Sequence, residues 1–335
     1  MIKYGIILPV RNGGLYIREC IHSILSQTYT DFQLLVLENC STDGTSEWLS
    51  SLNDSRITIH PADRPLTIEE NWSRIVQISK PEFITLIGHD DLLDPHYLSE
   101  MNKLISLHPQ ASLYMSHFRY IGSNGETIRK SKPMDEIQNA SEFLAFFLCN
   151  TVDTMGTGFM MRSLDYDSIG GIPPSYPNLL FADFELLVEL TAISYRATAS
   201  TECFAFRLHQ SATTTSTDLK FISAFDRFIN YLELLKIGDS KMKDIIERYA
   251  LNFIQFYCKG LSHRLLRTPK NRRQGQSVAE VIDRSKSYAE RLAPGNSFEP
   301  ELELSIKIAG IIDRNSVLRE MFLLLRKIYS KPFYQ

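Results

Sequence analysis

Apolar positions fall in two alternating rhythms along the first hundred residues. Tyr4 to Pro9 is a continuous apolar run closed by a proline, and Ile17, Ile21, Ile24 and Leu25 then recur at helical spacing. Phe32 to Leu37 is a second run, followed by the polar turn Glu38 to Thr45 and a short helical segment. Arg56 to His60 predicts a third strand. Thr67-Ile68-Glu69-Glu70 has the form of a capping box, with Ile68, Trp72, Ile75 and Val76 marking one face of the helix it opens. The fourth run, Phe83 to Ile87, ends in Gly88-His89-Asp90-Asp91 and then Asp94-Pro95. Strands that are apolar throughout and separated by helices predict a parallel sheet buried on both faces, hence a doubly wound α/β architecture.

The rhythm changes after residue 110. Ser112 to Tyr120 predicts a strand, Ser123 to Glu126 a turn into another, and Ser141 to Cys149 a short apolar helix. Gly156-Thr157-Gly158 precedes a strand at Phe159 to Arg162, and a loop rich in glycine and proline runs from Gly170 to Phe181. A helix is expected from Asp183, then two short strands at Tyr195–Ala199 and Cys203–Leu208. From Asp218 onward the pattern is helical, broken at Gly238-Asp239, at Arg267 to Gly275 and at Pro294-Gly295. The expected organisation is a domain over 1–212, in two halves (1–110 and 111–212), and a helical region over 213–335.

A length of 335 residues and 44% hydrophobic content suit a folded chain with a sizeable core. A net charge of -3 argues against general nucleic-acid binding. The five cysteines are odd in number, scattered and never in a C-x-x-C pair, which argues against a disulfide framework or a zinc module and for a reducing compartment. With no leader-like start and no run of about 18 apolar residues, the expected location is the cytoplasm. Basic residues at Lys259, Arg264, Arg267, Lys270, Arg272 and Arg273, with the apolar and basic tail Phe322 to Tyr329, leave two uses open: packed and solvated helices, or peripheral attachment to the inner face of an anionic membrane. Self-association through these helices is a third.

In a sheet of this kind ligands gather at the carboxyl ends of strands. Asp90 and Asp91 leave the fourth strand there, and adjacent carboxylates repel unless a cation or a donor-rich ligand lies between them. Asp94 is expected to cap the helix that follows.

These motifs together resemble family 2 glycosyltransferases of GT-A fold. Pro9-Val10-Arg11-Asn12 is similar to the family's Pro-x-aromatic-Asn, with Arg11 at the aromatic position. Ile24 to Tyr29 resembles its Ser-x-x-x-Gln-Thr helix end, Val36 to Thr45 its nucleotide-holding segment, and Gly88-His89-Asp90-Asp91 its Asp-x-Asp-Asp. The resemblance implies an inverting transfer of sugar from a nucleoside diphosphate, UDP or dTDP favoured, to a hydroxyl of a glycan or lipid-linked saccharide. It implies Pro9, Arg11, Asn12, Glu38, Asn39, Asn71, Asp90 and Arg207 at the nucleotide, and Mn²⁺ or Mg²⁺ held by Asp90, Asp91 and His209. Asp183, in Phe181-Ala182-Asp183, falls where the family has its general base, with Glu185 in reserve and Ala182 replacing the usual Glu. Gly88 replaces the first Asp of the metal motif, leaving more of the coordination to water and phosphate oxygens. Each residue also has a plain structural reading: surface carboxylate for Glu38, solvent-facing amide for Asn71, helix cap for Asp183, surface histidine for His209, orienting side chain for His89.

Other classes fit less well. A dinucleotide oxidoreductase would carry G-x-G-x-x-G after the first strand, and Asn12-Gly13-Gly14 is too short for a nucleotidyltransferase phosphate loop. A processive synthase would bring membrane spans and a Gln-x-x-Arg-Trp segment. The losses at Gly88 and Ala182 keep one rival in play: a non-catalytic protein that binds a nucleotide sugar.

Overall fold

The computed structural model describes residues 2–209 and 217–329. The chain divides into two compact units, residues 1–143 with 152–209, and residues 144–151 with 210–335. The expected boundary at 212 lies outside the described residues.

The first unit is built on one curled sheet. Its strands are β1 (Tyr4–Val10), β2 (Phe32–Glu38), β3 (Ile57–Pro61), β4 (Phe83–Leu86), β5 (Leu92–Leu93), β6 (Leu113–Ile121), β7 (Thr127–Lys130), β8 (Ile137–Gln138), β9 (Met160–Arg162) and β10 (Arg196–Arg207). The order is β3-β2-β1-β4-β9-β6-β10-β5, with β7 beside β6 and β8 beside β10. β1 to β4 are mutually parallel, and β9 runs antiparallel between β4 and β6. Two reversals restore the direction, so β6 and its parallel neighbour β10 end at the same edge as β1, β2 and β4. That shared edge brings Val10, Glu38, Leu86 and Arg207 together, although they are far apart in sequence.

Burial explains the order of the strands. All seven residues of β1 and all four of β4 are buried, as their continuous apolar runs require. Ile6, Leu8, Leu34, Val36, Phe83 and Ile87 share one core with Ile17, Ile21 and Ile24 of α1 (Tyr16–Leu25). Each such side chain stabilises the fold by about 1.5–3 kcal/mol relative to exposure. Pro9 lies beyond the last β1–β4 pair, Ile7 with Leu86, where its missing N–H is tolerated. The remaining helices are α2 (Thr45–Ser50), α3 (Ile68–Ser73), α4 (Tyr97–Leu107), α6 (Ser163–Ser168) and α7 (Ala182–Ile193), together with the start of α5 (Ala140–Leu148), whose residues from Leu144 belong to the second unit.

Two expectations are corrected. The two short strands at 195–199 and 203–208 form one strand, β10, whose register slips between Ala199 and Phe204 at the polar stretch Ser200 to Glu202. Asp94 does not cap a helix. Its carboxylate forks onto Arg119 at 2.7 Å twice, and α4 opens later, after His96. The capping box at Thr67 and Glu70 forms as expected.

The second unit contains α8 (Asp218–Gly238), α9 (Ser240–Arg267), α10 (Val278–Leu292), α11 (Leu304–Arg314) and α12 (Ser316–Tyr329). Ile222, Leu261, Leu265, Val278, Val281 and Ile306 form its core. Phe147 stacks edge-on with Phe228 and lies 5.4 Å from Phe253 between ring centroids. Much of the basic stretch is spent internally: Lys259 pairs with Glu303, Arg264 with Asp218 and Arg273 with Asp313, leaving Arg267, Lys270 and Arg272 exposed. All five cysteines are free thiols.

Candidate active site

The loops after β1 and β2 are laced together by short polar side chains. Asn12, in left-handed backbone at φ 54°, accepts from the Thr42 N–H at 2.8 Å, and its own N–H donates to Ser41 Oγ at 2.9 Å. The N–H groups of Gly13 and Gly14 donate to Thr45 Oγ1 and Asp43 Oδ2. Asparagine tolerates this conformation better than other non-glycine residues, which explains the Asn-Gly-Gly sequence.

Three residues expected at the nucleotide are buried and hold backbone. The carboxylate of Glu38 accepts from the N–H groups of Cys40 and Ser41 at 3.1 and 2.7 Å. Burial opposes its charge, but these donors and serine hydroxyls prevail and keep its pKa below the usual carboxylate value. Asn39 pairs both ways with the backbone of Leu66, at 3.0 and 2.7 Å. Asn71 donates to the Leu37 carbonyl and accepts from Arg74. Arg11 stays exposed with one contact, to the Leu66 carbonyl at 3.2 Å. Pro9 is buried within β1. Thus Arg11 and Asn12 face outward at this edge, while Glu38, Asn39 and Asn71 shape the loops from within. A cleft of about 940 Å³ opens beside the Leu66 latch, lined by Pro61, Arg64, Leu66, Glu70, Arg74 and Pro174 among others.

At the end of β4 the two aspartates have different environments. Asp90 Oδ2 pairs with His209 Nε2. Burial raises the pKa of Asp90, but the hydrogen bond from His209 and the neighbouring His89 outweigh it, and the net shift is downward. Asp91 is 1% exposed; its Oδ2 accepts from Thr157 Oγ1 at 2.7 Å and its Oδ1 from the Arg207 N–H at 3.0 Å. Burial, then Asp90, push its pKa well above the ordinary carboxylate value. Expected as a second metal ligand, Asp91 instead spends both oxygens on the protein. Among the described residues no three His, Cys, Asp or Glu side chains gather as a cation site. Asp90 and His209 remain as one oxygen and one nitrogen donor, a set that suits a divalent ion completed by water and phosphate oxygens.

Arg207, expected to pair with phosphate, is turned inward. Its Nε donates to the Asp90 carbonyl at 2.8 Å, Nη1 to the carbonyls of Gly122 and Ser123, and Nη2 to Glu19 at 2.7 Å. Its guanidinium lies 4.5 Å from the centre of the Tyr16 ring, which is 5.2 Å from that of His209. Tyr16 and Glu19 gave no sequence signal, because they occupy the polar face of a helix whose apolar face carried the pattern.

Asp183 sits in the first turn of α7, after Phe181 at φ 68°. Burial lifts its pKa to about 6, against stabilising backbone N–H groups. Ala182, where the resemblance has Glu, is fully buried. Glu185 accepts from the Tyr176 hydroxyl. The loop before α7 is anchored, with the Asn178 N–H on Glu69 Oε1 at 2.6 Å.

One short segment joins the two halves of the site. A Cβ on Gly156 would lie 3.4 Å from that of Asp183, Thr157 holds Asp91, and the Gly158 N–H donates to the Leu86 carbonyl at 2.8 Å. The base candidate and the aspartate pair therefore touch adjacent residues of one connecting segment, Gly156 and Thr157. Gly-Thr-Gly was visible in the sequence, but its partners were not.

A mostly parallel curled sheet with this carboxyl-edge cluster is the GT-A type of glycosyltransferase fold, followed here by a helical region. Residues 5–170 match the model of glycosyl transferase family 2, so the chain carries a family 2 glycosyltransferase domain. The crystal structure of residues 1–349 of S. aureus TarS in complex with UDP-GlcNAc superposes with a TM-score of 0.65 at 14% identity, covering 96% of this chain and 91% of that one. Glycosyltransferase GlyG of Streptococcus pneumoniae is 21% identical over 36% of this chain and 41% of its own length. The putative teichuronic acid biosynthesis glycosyltransferase TuaG of Bacillus subtilis is 22% identical over 75% of this chain and 96% of its own. This chain thus spans less than half of GlyG and nearly all of TuaG. No helix among the described residues is long and apolar enough to cross a membrane.

Proposed function

We propose that the protein transfers a sugar, with inversion, from a nucleoside diphosphate sugar to a hydroxyl of a glycan or lipid-linked saccharide in the assembly of a surface polysaccharide. The observation that carries this reading is the Gly156-Thr157 segment, which lies against Asp183, a carboxylate of raised pKa, at Gly156 and bonds Asp91 at Thr157.

Asp183 is the base. A carboxyl whose pKa lies near 6 is ionised at neutral pH yet basic enough to take the proton of an attacking hydroxyl. Gly156 leaves space beside it for that hydroxyl to approach. Arg11 and Asn12 meet the nucleotide, on loops braced by Glu38, Asn39 and Asn71. Asp90 and His209 would hold Mg²⁺ or Mn²⁺, whose Lewis acidity neutralises the charge gathering on a departing diphosphate. The UDP-GlcNAc bound by TarS supports a uridine donor, and the teichuronic acid biosynthesis in TuaG's name supports a polysaccharide as the product.

Release of nucleoside diphosphate from a panel of nucleotide sugars, with and without Mn²⁺, tests the reading. Metal-stimulated release by the parent, lost in Asp90→Ala and Asp183→Ala, supports it. Donor binding without release under every condition moves the non-catalytic binding protein ahead.

A further inference from the structure

The α11–α12 region presents an apolar surface that the described residues of its own unit leave uncovered. On α12, Val317, Met321, Leu324 and Leu325 fall at i, i+4, i+7 and i+8, one face of a helix, and are 67, 54, 62 and 49% exposed. Ile308 and Ile311 of α11 are also half exposed. The opposite face is committed, with Phe322 packed on the core and Arg319 buried against the Thr268 carbonyl at 2.6 Å.

Charge accompanies this stretch of sequence. Residues 304–335 carry six Lys and Arg against two acidic residues, while the first 303 carry thirty against thirty-seven. Arg314, which leads into α12, lines a cleft of about 390 Å³ with Lys270, Arg273 and Asp313. Two buried guanidiniums, Arg273 and Arg319, stand near Asp313, and Arg273 Nη2 and Arg319 Nε have no hydrogen-bond partner among the described residues. The cleft therefore holds more positive than negative charge.

We infer that this surface docks on an anionic phospholipid bilayer, with the α12 face entering the acyl boundary and the Lys270–Arg273–Arg314 cleft taking a headgroup phosphate. The combination of apolar area and basic charge is what interfacial attachment requires. A second copy fits less well, because a two-fold contact sets the same basic stretch against itself. The inference is independent of the transfer reaction, since none of these residues belongs to the site on the sheet.

Cosedimentation of the full chain with vesicles tests it. Binding to phosphatidylcholine vesicles containing phosphatidylglycerol should exceed binding to pure phosphatidylcholine by about tenfold and weaken with added salt. The double variant Met321→Glu/Leu324→Glu should lose about tenfold or more of that binding with an unchanged melting temperature. Leu234→Glu, at an exposed site on α8, should keep it. Equal binding to neutral and anionic vesicles, or none to either, overturns the inference. So does a dimer that the double variant dissociates in a protein that ignores vesicles.

Discussion

The backbone N–H of Arg207 donates to Asp91 Oδ1 at 3.0 Å, joining the end of the last strand to the end of β4 across 116 positions of chain. The side chain of Arg207 reaches back to the Asp90 carbonyl, so one residue holds both aspartates. A conspicuous cation at the strand edge is thus a brace for the two aspartates.

Arg207→Met should destabilise the ligand-free protein by about 3–5 kcal/mol, because it strips donors from three backbone carbonyls and leaves Glu19 without its partner. Arg207→Lys should recover little of that loss, since an ammonium cannot reproduce the planar fork. Urea unfolding reads the effect. A phosphate contact would instead leave stability intact and weaken only donor affinity.

Asp183 should set the acid limb of the pH–rate profile, with kcat/KM rising tenfold per pH unit up to about 6. The folded pKa lies above the ordinary value of 3.8, so the native state holds this proton more tightly than the unfolded chain, and the stability this contributes is lost as the pH rises from about 3.8 to about 6. Asp183→Asn should therefore abolish transfer yet stabilise the fold by about 1–2 kcal/mol at about pH 7.5, partial exposure reducing the full value. The gain should vanish at about pH 3.5, where both states are protonated. Thermal melts at the two pH values check it.

Gly88→Asp, which restores the resembling motif, should lower activity. A Cβ at Gly88 would lie 2.7 Å from Asp90 Oδ1 and 3.0 Å from Asp91 Oδ2, and a third carboxylate would add repulsion there. Displacing Asp90 breaks its pair with His209. About a tenfold or greater loss of donor turnover at saturating Mn²⁺ is expected; a gain would show that the site lacks only a ligand.

Asn12→Ala should raise the donor dissociation constant several-fold by losing both the Thr42 bond and an easy left-handed φ, at a cost of about 1–2 kcal/mol. Asn12→Gly keeps the conformation and should lose less. Calorimetric titration with UDP compares them.

The fold was largely legible because its signal is local. Apolar runs at 4–9, 32–37 and 83–87 cannot be solvated and must become buried strands, and the Thr67–Glu70 box announces its helix by hydrogen bonds within one turn. Asp94 misled because a short carboxylate before a helix has the same local signature whether it caps or forks onto a distant Arg119. Ser200 to Glu202 misled because polar residues interrupt a strand in sequence even where a bulge carries it through in space.

The sequence by itself determined the alternation of strand and helix, the aspartates at a sheet edge, and Asp183 at a helix start, since each follows from side-chain chemistry within a few residues. Only the tertiary structure decided which polar groups face solvent and which are consumed. Asn39, Asn71, Asp91 and Arg207 all carry the chemistry of ligand-binding residues, yet their hydrogen-bond partners lie on other elements far along the chain, while Glu38 is consumed by the Cys40 and Ser41 N–H groups of its own loop. A polar group taken from water must be satisfied wherever the fold puts it, and the identity of its partner is a property of the packed chain.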